Sequence, residues 1–107
     1  MNDPLKALAD IVANANDIFY DRHKHVDTLM GIMDKTLREQ GMNADAITID
    51  CISLNKKIVF VLHDSEPDFV DIALGDKAGV IQSSSKQVLK EVNIPYIITM
   101  MEDNFIN

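Results

Sequence analysis

Apolar residues recur every seven positions through the first third of the chain: Leu5, Val12, Phe19, Val26 and Met33. Leu8, Ala15, Arg22, Leu29 and Thr36 fall three residues after each. That spacing is the signature of a helix with one buried stripe. Asp3 is a suitable N-cap and Pro4 suits the first helical position. After Pro4 no strong helix breaker appears until Gly41, and Gly31 is only a weak point. The pattern therefore predicts a helical arm over 1–41, either one long helix from about residue 4 to 40 or a helical hairpin. The hairpin would turn at the polar waist of Tyr20, Asp21, Arg22, His23, Lys24 and His25. The flanking positions, such as Ile11, Ile18, Met30, Ile32 and Leu37, are also apolar, so the stripe is wide and needs more than one neighbour.

From residue 47 the period changes to two. Ile47, Thr48, Ile49, Asp50 and Cys51 alternate, as a half-buried strand does. Ile52 and Leu54 shift the apolar set, which suggests a bulge, and Asn55 with Lys56 suggests a two-residue hairpin turn. Ile58 to Leu62 is apolar throughout and β-branched in part, suiting a central strand. Phe69 to Leu74 alternates again, and Gly75 to Gly79 is a hairpin loop leading to Val80, Ile81 and Gln82. These make a four-stranded antiparallel sheet over 47–83. Ser84 followed by Gln87 fits a capping box for a short helix near 85–92. Ile94, Ile97, Ile98, Met101 and Phe105 then describe an amphipathic helix, with Asn93 as cap and Pro95 in its first turn. C-terminal helices are thus expected over 84–106. The expected class is α+β, a single domain over 1–107.

A helix of 4–40 could not be covered by the remaining residues, which must also bury a sheet. The expectation is a homodimer, with Leu8, Val12, Phe19, Val26 and Met33 at the interface.

Composition refines this picture. There are 17 acidic and 10 basic residues, a net charge of -7. Such a surface repels phosphate backbones and argues against direct nucleic-acid binding. It suits a basic protein partner, or an inhibitor that mimics nucleic acid. Cys51 is the only cysteine, so an internal disulfide is excluded and a reducing, cytoplasmic setting is expected. The N-terminus lacks the basic and apolar regions of a signal peptide. No apolar run approaches the ~20 residues that span a bilayer.

Candidate chemistry is sparse. Asp64, Glu66 and Asp68 form an acidic loop, extended by Asp71 and Asp76, with no base from 64 to 76. Alternating carboxylates can hold Ca²⁺ or Mg²⁺, but Pro67, Phe69 and Gly75 stand where further ligands are needed. The loop reads as a solvated turn, and neither metal nor cofactor is expected. His63, Asp64 and Ser65 adjoin one another, yet neighbours in a strand point to opposite faces and cannot form a triad. His23 and His25 are two apart on a helical pattern and cannot share a metal. Cys51 sits on the face of Ile47 and Ile49 and reads as core. No phosphate-binding loop, dinucleotide fingerprint or zinc motif is present. The favoured expectation is a non-enzymatic, protein-binding or chaperone-like module. The alternatives are a small hydrolase or metal-dependent enzyme using the 64–76 carboxylates with His63, and the acidic mimic.

Overall fold

A computed structural model describes residues 3–106. Helix α1 is Asp3–Arg22, followed by strand β1, Leu29–Met33, and a one-turn helix α2, Thr36–Glu39. Strands β2 (Ala44–Cys51), β3 (Lys56–His63), β4 (Phe69–Gly75) and β5 (Ile81–Val88) come next, and helix α3 (Ile94–Phe105) closes the order. The five strands form one antiparallel meander, β1-β2-β3-β4-β5. The α+β class holds.

α1 buries Leu5, Leu8, Val12, Ala15 and Phe19, the spacing the sequence predicts. Asp3 lies in its first turn and Arg22 in its last, each matching the helix dipole. The helix ends at the polar waist, which lacks glycine and proline. Contacts to other elements take over there. His23 Nε2 lies 2.8 Å from Glu102 of α3, and Thr28 Oγ1 donates to Asn16 Oδ1. The long-helix reading is therefore corrected, and so is the hairpin. Residues 29–33 are a strand, and within 34–41 only Thr36–Glu39 are helical. β1 escapes sequence reading because it is apolar on both faces, so period two is invisible, while Val26 and Met33 happen to continue the seven-residue spacing.

The interface assignment changes with it. Leu8, Val12, Phe19 and Val26 are buried in this chain's own core, against the sheet and α3. They need no second chain to cover them. Met33 lies on edge strand β1, half-buried.

β2 and β3 pair with Ile47 opposite Phe60 and Ile49 opposite Ile58. These four side chains face the helices and join Val70 and Ile72 of β4 in the core. The loop between β2 and β3 is not the two-residue turn expected. Residues 52–54 make a 3-10 turn, and Asn55 takes the left-handed conformation at φ 53°, which asparagine tolerates. That turn, not a bulge, explains the shifted apolar pattern at Ile52 and Leu54. The β4–β5 hairpin is where Gly75 to Gly79 predicts it. Asp76 Oδ1 accepts from the backbone N–H groups of Ala78 and Val80, both at 3.0 Å. A Cβ on Gly75 would lie 2.5 Å from the Val80 carbonyl oxygen, so the bulged strand end requires glycine.

Residues 84–88, expected as the start of a helix, belong to β5. The capping-box pattern at Ser84 and Gln87 is overridden by pairing with β4: Ala73 lies opposite Ser84 and Val70 opposite Gln87. α3 forms as predicted. Asn93 Oδ1 accepts from the N–H of Tyr96 at 2.9 Å, and Ile97, Ile98, Met101 and Phe105 are buried.

Candidate functional site

The acidic loop between β3 and β4 is resolved into separate ion pairs. Asp64 leaves the end of β3 and meets Arg38 of α2. The Arg38 guanidinium donates to both carboxylate oxygens of Asp64 at 2.8 Å, and to both of Asp45 at 2.9 Å. Asp45 is 2% exposed, so this arginine meets a buried carboxylate on one side and an exposed one on the other. The planar fork of arginine suits that double grip. Its hydrogen bonds to Asp64 and then Asp45 drive the guanidinium pKa further up, and its bond to Asp64 holds that carboxyl below 3.8. The network fastens the β1–β2 connection to the end of the sheet.

Glu66 pairs with Lys86 of β5, whose ammonium also sits 5.8 Å from the centre of the Phe69 ring. The hydrogen bond from Lys86 holds the Glu66 carboxyl below its usual value and raises the lysine. His63 Nε2 lies 3.0 Å from Asp71 across the β3–β4 pair. Asp68 is exposed, and its backbone carbonyl accepts from the N–H of Leu89. Asp64, Glu66 and Asp68 therefore do not converge, and His63 is engaged by Asp71 rather than by the loop. Among the described residues no group of three His, Cys, Asp or Glu is placed to hold a metal ion. Cys51 is fully buried beneath the helices.

Two of these pairs, His63–Asp71 and Lys86–Glu66, share the face of the sheet away from α1 and α3 with a further pair, Lys57–Asp50. Between them the face is mostly apolar, with Thr48 as its polar member. Ala46 is flanked by Met33 and Val61, and Thr48 by Gly31 and Val59. Because acids and bases alternate here, the face carries no run of carboxylates resembling a phosphate backbone.

The concave surfaces lie elsewhere. A groove of about 580 Å³ runs between α3 and the β4 side of the sheet. Its apolar lining includes Leu74, Pro95, Tyr96 and Met100, and its two charged residues, Glu91 and Asp103, are both acidic. A second cleft of about 540 Å³ lies between the start of α1 and the end of β5, with Ala7, Ile11, Pro67 and Leu89 in its walls. Compared with known proteins, the chain matches no family model, no curated protein and no solved structure.

Sequence reasoning identified the carboxylates but missed their partners. Neither Arg38 nor Lys86 stands out in the sequence. Arg38 lies seven residues before Asp45 and twenty-six before Asp64. No local period connects such positions. Met100 of α3 forms part of the wall of the α3 groove.

Proposed function

We propose that this chain is a non-enzymatic, chaperone-like protein-binding module. Its ligand is an apolar segment of another protein that carries basic residues. The observation supporting this reading is the groove between α3 and the sheet. Tyr96, 38% exposed, and Met100 offer apolar and adaptable contact area, while Glu91 and Asp103 supply charge of one sign only. Aromatic and methionine side chains bury much area at modest entropic cost, and the acidic rim steers a cationic partner. The net charge of -7 acts in the same direction at longer range. The hydrolase reading finds less support, because each acidic group it needs is engaged by a base of its own or stands apart.

A synthetic peptide alternating leucine and lysine tests this, beside its twin with glutamate in place of lysine. Fluorescence anisotropy should show binding of the lysine peptide that weakens as salt rises. Replacing Glu91 and Asp103 together by lysine should abolish that binding, and Met100→Ser should weaken it. Equal binding of the two peptides, or an unchanged affinity in the double variant, would show the reading to be wrong.

A further inference from the structure

The two edges of the sheet differ in kind. β5 presents Gln82, Ser83, Ser84, Ser85 and Lys86 to solvent, a polar edge guarded by a lysine. That composition discourages pairing with another strand. β1 reads Leu29, Met30, Gly31, Ile32, Met33, with neither charge nor proline. Leu29 is 58% exposed and Ile32 41%. Among the described residues this strand pairs only with β2, which leaves its outer edge open. Alongside it, α1 and β1 frame a cleft of about 530 Å³, where Ala9 and Ala13 keep the wall low above Met30 and Ile32. An apolar open edge of this kind is a template for one more strand.

The sequence of β1 and its flanks identifies that strand. Residues 27–35 read Asp-Thr-Leu-Met-Gly-Ile-Met-Asp-Lys. In an antiparallel pair, opposed residues point to the same face, so a two-fold axis relating two copies must pass through a residue. With Gly31 on the axis, Met30 falls opposite Ile32 of the second copy, and Leu29 opposite its Met33. Apolar meets apolar on both faces. Extended outward, the same register sets Thr28 opposite Asp34 and Asp27 opposite Lys35, a hydroxyl donor against a carboxylate and then opposite charges. Moving the axis to Met30 would oppose Asp27 to Met33. Moving it to Ile32 would oppose Met30 to Asp34 and Leu29 to Lys35. Of these three registers, the one about Gly31 alone is self-complementary. A Cβ on Gly31 would lie 2.8 Å from Thr48 Oγ1, so a larger residue would have to displace that hydroxyl. Its bare backbone also leaves the axis clear.

We propose that β1 pairs antiparallel with β1 of a second copy about Gly31, forming a homodimer with one continuous sheet of ten strands, twice the five of each chain. This interface is isologous, as closed dimers require. It stands apart from the peptide-binding reading, because the α3 groove lies toward the opposite edge of the sheet.

Sedimentation equilibrium at high micromolar concentration should give about 24 kDa, twice the 12.0 kDa chain. Ile32→Lys, at a position exposed in the single chain, should give a folded 12.0 kDa monomer by sedimentation and circular dichroism. Ser84→Lys on β5 should remain a dimer. Should Ile32→Lys fail to fold, the exposed pair Asp27 and Lys35 carries the test. Asp27→Lys should weaken association roughly two- to five-fold, and adding Lys35→Asp should restore it. A monomeric wild type would overturn the proposal. So would dissociation by Ser84→Lys with Asp27→Lys silent, or a dimer in which the charge swap restores nothing.

Discussion

Phe19→Ala should destabilise the folded chain by about 4 kcal/mol, the usual cost of emptying a fully buried phenylalanine site. Phe19 has no exposed surface, its ring centre lies 6.2 Å from that of Phe105 and 4.8 Å from that of His23, and it joins α1 to α3. Small domains retain only about 5–15 kcal/mol in total, so this one change removes a large share. Urea unfolding followed by circular dichroism measures it. The transition midpoint should fall with little change in slope. The size of the loss should not depend on protein concentration, because Phe19 packs within its own chain. Ile18→Ala, one residue earlier and 37% exposed, should cost well under half as much. Near-equal effects of the two substitutions would mean that α1 does not pack through the Phe19 face.

Arg38→Met should be the second severe change. It takes away the guanidinium that grips both carboxylate oxygens of Asp45, 2% exposed, and breaking a buried ion pair from one side costs about 3 kcal/mol or more. Asp64→Asn, which removes only the exposed partner, should cost much less. The two also differ in pH dependence. The folded state holds the Asp64 and Glu66 carboxyls below their ordinary values of 3.8 and 4.5, through hydrogen bonds from Arg38 and Lys86. A carboxyl lowered in the folded state contributes stability that is complete above its ordinary value and is lost as pH falls through the lowered one. Wild-type stability should therefore drop as pH goes from about 5 toward 3. Asp64→Asn and Arg38→Met should each lack the Asp64 share of that drop. Unfolding midpoints measured across this range decide the matter. An identical pH profile in all three proteins would show that the Arg38–Asp64 pair does not form in solution.

The candidate site was partly legible in advance. Asp64, Glu66 and Asp68 stand out as a cluster because they are close in sequence. Their separation into distinct ion pairs does not stand out, because Arg38 and Lys86 come from other elements. The homodimer interface first assigned to the Leu8, Val12, Phe19 and Val26 stripe follows the same logic. A buried stripe is visible in the periodicity, but what buries it is not. Here the chain's own sheet does so, and the apolar edge left over is β1.

The local pattern by itself determined β2, β3, β4, α3 and the start and buried face of α1, though not where α1 ends. Each is long enough for its period to show, and each has its own punctuation: Pro4, the left-handed Asn55, the Gly75 to Gly79 hairpin, and Asn93 with Pro95. Tertiary structure alone decided β1 and β5. β1 is apolar on both faces and continues a helical spacing. It becomes a strand because β2 offers an edge on which Gly31 can lie against Thr48. β5 has almost no apolar signal and a helix-capping pattern, and it becomes a strand because β4 satisfies its backbone through the Asp76 hairpin. A strand's hydrogen bonds belong to its neighbour, whereas a helix carries its own. The sequence therefore announces helices and self-evident strands, and leaves the edges of a sheet to the fold.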